Sequence, residues 1–219
     1  MLKQLCYFIL FSLISSTILA STYNKPAAET NARLGLGYLE KGMYSTSKNR
    51  LLTALHEDPE IAAVWYSMAY YLEKTGNKKL AEQYYLKAIS VEPHSGKAIN
   101  NYGTFLCRIG QHQKAITEFL RAAHERTYLH AAGAYENAGT CALMMQHYKD
   151  NKKLALTYFQ KALENNPNMP RALLDTAKIY HQIGDNVSAE KYFIVFVKIA
   201  LHNKSAHIVK QYRQYVFSS

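Results

Sequence analysis

Three cysteines and nine histidines are the side chains of this chain best suited to chemistry. Cys6 lies in an apolar N-terminal run, whereas Cys107 and Cys141 lie far downstream. A zinc site needs ligands at short spacing, such as a close Cys pair or H-E-x-x-H on one helix face. Neither is present, and there is no G-x-S-x-G elbow, phosphate-binding glycine loop or dinucleotide fingerprint. The expectation is therefore no enzyme, no cofactor, no metal and no small-molecule substrate. His124, His130, His202 and His207 read as solvated or groove side chains.

What remains for the cysteines is a disulfide. Lys3 followed by the apolar run Leu5–Leu19, with Ala20 before polar residues, has the three parts of a secretory signal. The run is shorter than the about 20 apolar residues that span a bilayer. Residues 1–20 read as a signal peptide, 21–27 as a linker containing Pro26, and 28–219 as the folded domain. Cys6 leaves with the signal, and Cys107 and Cys141 stay as an even pair in an oxidising compartment. They lie on the first helices of neighbouring hairpins, at different heights by this register, with axes about 8–10 Å apart. A bridge needs Cα atoms within about 7 Å. It would contribute on the order of 3–4 kcal/mol. The alternative is two buried thiols acting as small hydrophobes.

The elements that position these residues recur 34 residues apart: Gly42, Gly76 and Gly110; Ala81 and Ala115; Tyr85 and Phe119; Ala88 and Ala122; Pro59 and Pro93; Phe159 and Phe193. In the clearest copy Trp65 opens a helix, Met68, Ala69 and Leu72 share its face, and Gly76-Asn77 stops it. Leu80, Ala81, Tyr84, Tyr85 and Ala88 make the second stripe, and Pro93 ends it. Small residues mark close helix approach, and aromatics fill the space beside them. This matches the tetratricopeptide (TPR) pattern, and the fold class is an all-α superhelical solenoid of helix-turn-helix repeats. Five copies fall at about 28–61, 62–95, 96–129, 135–169 and 170–203, with a capping helix at 204–217. Phe119 and Phe159 are 40 apart, so six extra residues lie between them, expected near Thr127–Gly133 and His147–Lys152. The fifth copy lacks its closing proline, which predicts a long helix 187–200.

In such a stack the first helix of each hairpin lines the concave surface. The positions between core residues then give the groove: Tyr66, Tyr70 and Glu73; Lys97, Asn100, Thr104 and Arg108; Glu136, Gly139 and Leu143; Arg171, Leu174, Lys178 and His181. Tyrosines supply apolar area with a polar tip. Asn100 and Thr104 suit peptide backbone, and Lys97, Arg108 and Lys178 suit carboxylates. A chaperone-tail clamp would need lysine where Tyr66 and Asn100 stand. The charge of +10 admits nucleic acid, but export argues against it and favours a protein partner.

Asn100-Asn101-Tyr102-Gly103-Thr104-Phe105-Leu106-Cys107 resembles a block of the PilF/PilW pilotin family of type IV pilus biogenesis proteins. Asn31–Gly42 and Glu136-Asn137-Ala138-Gly139-x-Cys141-Ala142 resemble its first and fourth repeats. The resemblance covers nearly the whole exported chain. It implies a periplasmic protein at the inner face of the outer membrane, with the secretin or another pilus-assembly protein as partner. Family members commonly carry a lipidated Cys after the signal, and residues 17–26 contain none. A general periplasmic TPR adaptor for another envelope or polysaccharide-export machine is the other expectation.

Overall fold

The structure, a computed structural model, describes residues 23–201 and 206–218. The signal peptide, Cys6 and His202 lie outside the described residues. The described residues form eleven helices and no strands: α1 (Lys25–Glu40), α2 (Tyr44–Glu57), α3 (Ala62–Lys74), α4 (Lys78–Val91), α5 (Gly96–Arg108), α6 (His112–His124), α7 (Ala131–Leu143), α8 (Asn151–Asn165), α9 (Pro170–Gln182), α10 (Asn186–Ala200) and α11 (Ala206–Phe217). Each odd helix from α1 to α9 pairs with the next even one, giving five stacked hairpins, and α11 follows the last. The chain folds as the TPR solenoid its periodicity predicts.

Each hairpin is closed by one close approach. A Cβ placed on Gly35 would meet Leu51 Cγ at 2.6 Å, on Gly103 would meet the Phe119 ring at 2.9 Å, and on Gly139 would meet the Phe159 ring at 2.8 Å. At these three positions a side chain would displace Leu51, Phe119 or Phe159. In the second and fifth hairpins Ala69 and Ala177 take the same place, facing Tyr85 and Phe193, and all four are buried. Phe119 and Phe159 are fully buried, and each such ring contributes roughly 1.5–3 kcal/mol. Ser47, buried in α2, donates its hydroxyl to Gly35 O at 2.8 Å, so the tight first hairpin leaves no orphan there.

The turns within hairpins follow from glycine. Gly42, Gly76, Gly110 and Gly184 have φ between 71° and 90°, the left-handed region that L side chains avoid. After α3, Gly76 N donates to Glu73 O and Asn77 N to Leu72 O, which satisfies the last carbonyls of the helix. The fourth hairpin has no such glycine. Its turn, 144–150, is four residues longer than the 75–77 turn, and the linker 125–130 is two longer than 92–95. The six extra residues therefore fall entirely outside the helices.

This corrects the register expected for the cysteines. Cys107 is one residue from the end of α5 and Cys141 two from the end of α7, so they stand at nearly equal height. The structure joins them as a disulfide with Cα atoms 5.9 Å apart.

Several boundaries also differ from the sequence reading. The linker expected at 21–27 is helical from Lys25, because the Asn24 side chain caps the start by accepting from Ala27 N at 3.1 Å and Pro26 suits a first turn. The third helix opens at Ala62, and Trp65 lies inside it, donating its indole N–H back to Pro59 O at 2.6 Å. Missing prolines do not lengthen helices. α10 (Asn186–Ala200) matches the expected 187–200 to within one residue, but its 15 residues are no more than those of α8, which is closed by Pro167. α6 lacks its proline and has only 13; past its end Tyr128 covers Gly96, where a Cβ would come 2.5 Å from Tyr128 Cβ and Cγ.

Gly103→Ala should lower stability by about 1–3 kcal/mol in urea unfolding, since Phe119 is fully buried and Ala115 O stands 3.2 Å from the new carbon. Gly37→Ala, with nothing within 4 Å, should instead gain about 0.5–1 kcal/mol. For the cysteines, non-reducing peptide mapping of the exported protein should recover Cys107 and Cys141 linked, and reduction should cost about 3–4 kcal/mol. Two free thiols would refute the bridge.

Candidate functional site

The first helices α1, α3 and α5 stand side by side and form the walls of a cavity of about 700 Å³. Five of the fourteen groove residues expected from sequence line it together: Tyr66, Tyr70, Lys97, Thr104 and Arg108. The helical period of α3 turns Tyr66 and Tyr70, four residues apart, to one face.

The cations here are already engaged. Arg108 makes a two-pronged ion pair with Glu73, its Nη2 donating to Oε2 at 2.7 Å. Tyr85 donates its hydroxyl to the same oxygen at 3.2 Å. Burial pushes the Tyr85 hydroxyl well above its usual range, and the Glu73 carboxylate adds to the effect. Tyr70 carries a cation near its ring on two sides, Arg108 at 5.5 Å and Lys74 at 5.3 Å from the centroid. Lys97 Nζ lies 5.7 Å from the Tyr66 ring centroid. Burial raises the Tyr66 hydroxyl pKa, and Lys97 partly offsets that.

Of the three cations expected to attract carboxylates, Lys97 and Arg108 line this cavity and Lys178 does not. Arg108 is neutralised by Glu73. Lys178 lies on α9 and its Nζ sits 3.7 Å from the ring centroid of Tyr215 on the capping helix. Beside it, His181 packs edge-on to Phe217 at 5.2 Å, so α11 covers this stretch of α9. Asn100 is also displaced from the expected place. Its Oδ1 accepts from Asn137 Nδ2 at 3.1 Å, bridging α5 to α7, and Asn101 lines the cavity instead. Thr104 lines it with its hydroxyl donated to Asn100 O at 2.9 Å.

The fourth-repeat assignments shift for one reason. Gly139 is the close-approach glycine under Phe159, so it faces the partner helix and not the groove. Glu136 instead caps the next repeat, accepting from Ala172 N at 3.1 Å, and burial raises its pKa. Leu143 packs against the main core.

The first repeat contributes to the groove as well. The offsets of Ala63, Tyr70 and Lys74, carried back one period, give Glu29, Leu36 and Glu40, and all three line the cavity, with Lys25 and Arg33. The site thus has an aromatic floor fixed by cations and a rim of mixed sign. That arrangement suits an extended or helical peptide. Among the described residues no three His, Cys, Asp or Glu side chains are grouped as a metal site requires.

Comparison with known proteins agrees with this architecture. A family model described as tetratricopeptide repeat matches residues 39–192. The type IV pilus assembly protein PilF of Pseudomonas aeruginosa is 30% identical over 172 residues, which is 78% of this chain and 67% of PilF. A solved structure of Pseudomonas aeruginosa PilF superposes with a TM-score of 0.70 at 28% identity, covering 88% of this chain and 85% of that one. PilW, described as a widely conserved type IV pilus biogenesis factor, has a TM-score of 0.67 at 21% identity over 88% of this chain and 93% of its own, a likeness of fold. The chain belongs to the tetratricopeptide repeat family and is homologous to the type IV pilus assembly protein PilF.

Proposed function

We propose that this chain is a non-enzymatic protein-binding scaffold of type IV pilus biogenesis, acting in the periplasm near the inner face of the outer membrane. It binds a segment of the secretin or of another pilus-assembly protein in the α1–α3–α5 groove, and so assists secretin localisation or multimerisation, or pilus stability. The observation that carries the reading is the groove itself: Tyr66 and Tyr70, two large rings held by Lys97 and Arg108, form a preorganised floor. Aromatic side chains anchored in this way dominate binding energies at interfaces. Homology to PilF supports the pilus as the machine concerned.

Gene deletion tests the pilus role, and groove variants test the site. Deletion should reduce heat-resistant secretin multimers on gels and reduce twitching motility. Re-expressed Tyr66→Ala/Tyr70→Ala protein should fail to restore them and should co-purify with its partner at least tenfold more weakly, in line with the loss of two aromatic anchors. Lys97→Glu, at an exposed position that leaves the core untouched, should weaken co-purification in the same direction. Normal multimers and normal piliation in the deletion strain would overturn the reading.

A further inference from the structure

A second concave site lies away from the groove, at the edge of the stack where the turns within hairpins emerge. The long α7–α8 turn, 144–150, stands beside the short α5–α6 turn, 109–111, and between them is an open cleft of about 960 Å³. We propose that this cleft is a docking site for an acidic protein segment carrying one apolar anchor residue.

The walls argue for the anchor. Met144 is 50% exposed and Tyr148 47% exposed, both facing an open cleft with Met145 between them in sequence. Methionine side chains adapt to varied apolar partners, and tyrosine offers area with a polar tip. The four extra residues widen this edge of the stack, and the glycine-closed turns elsewhere have no counterpart to that extension.

The charges argue for the flanks. No carboxylate lines the cleft, whereas Lys114, His112 and His147 do. Lys149, Lys152 and Lys153 continue directly from the turn, against the single acid Asp150. An acidic segment is the complementary partner. A recess between two turns accepts a projecting side chain better than it accepts the flat face of a bilayer.

The site is also preorganised. Met144 Sδ lies 3.7 Å from Cys107 Sγ, and the Cys107–Cys141 pair ties together the two helices that carry the walls. Walls held in this way lose less freedom on binding than free loops would.

The test uses the whole folded domain with ¹³C-methyl methionine and a short synthetic peptide holding one Phe flanked by Asp and Glu. The Met144 and Met145 methyl signals should move saturably, while those of Met68 and Met169 stay. Tyr148→Ser and Lys114→Glu, both at turn-edge positions, should each weaken binding at least fivefold, and Tyr66→Ala should not. A peptide with Ala in place of Phe should bind at least tenfold more weakly. Equal binding by the Ala peptide, perturbation only at the Tyr66–Tyr70 groove, methyl shifts that depend on protein concentration without peptide, or shifts with phosphatidylglycerol vesicles but not peptide would each overturn the proposal. Because the groove variants are scored separately, failure here leaves the groove reading standing.

Discussion

The distance of closest approach between the two helices of each hairpin is the constraint on which the rest of the molecule depends. At Gly35, Gly103 and Gly139 the backbone of the first helix sits so near the second that a Cβ would overlap Leu51, Phe119 or Phe159. Because every hairpin closes at the same level, with Ala69 and Ala177 serving in the other two, successive hairpins have nearly the same shape and stack with a regular offset. The groove is a product of that stacking. α1, α3 and α5 present their outward residues to one concave surface only because the aromatic or leucine behind each helix sets its depth. Tyr85 joins the two roles. Its ring is a core wedge against Phe105, at 5.1 Å between centroids, and its hydroxyl steadies Glu73, the partner of groove residue Arg108.

The six extra residues show how such a stack absorbs change. They fall in two connections, 125–130 and 144–150, and leave α7 at 13 residues, the same length as α5. Loop-closure entropy rises only slowly with length, so lengthening a connection costs little, whereas an insertion inside a helix would turn its core face outward. Keeping the insertion outside the helices is also what lets Cys107 and Cys141 meet: their equal height follows from uninterrupted helices on either side of it. The longer turn then lacks the left-handed glycine and exposes Met144 and Tyr148.

The fold was legible in the sequence because periodic core residues report directly on helix faces. Ala81, Tyr85, Ala88, Ala115, Phe119 and Ala122 recur at fixed offsets, and all are buried. The groove was partly legible on the same arithmetic, which places Tyr66, Tyr70, Lys97, Thr104 and Arg108 correctly on one cavity. It failed where a side chain's partner lies in another repeat. Nothing in the spacing says that Asn100 reaches Asn137, that Glu136 caps α9, or that Lys178 meets Tyr215 on the last helix. Those contacts depend on how far one hairpin is rotated on the next and on where α11 settles. A one-repeat pattern carries neither quantity. The helix start at Lys25 escapes the repeat arithmetic for a different reason: the polar stretch holding Asn24 and Pro26 has the composition of a linker, yet Asn24 caps the helix and a proline in the first turn is compatible with it because no N–H is needed there.

The net charge of +10 says less about the groove than its size suggests. The cavity is lined by Lys25, Arg33, Lys97 and Arg108 against Glu29, Glu40 and Glu92, and Glu73 adds a fourth acid by pairing with Arg108. Two of its cations, Lys97 and Arg108, lie beside rings, and Arg108 also pairs with the largely buried Glu73. The groove's near balance of charge leaves shape and aromatic area as its most distinctive features. The excess of Lys and Arg must lie elsewhere, and 149–153, with three lysines and one aspartate, is one place where it accumulates. At the ionic strength of a cell, fields fade within about 8 Å. A lysine cluster at the turn edge thus acts on what docks there and contributes little to the concave face. The two surfaces are electrostatically independent although α5, which the disulfide ties to α7, lines one and leads into the turn that lines the other.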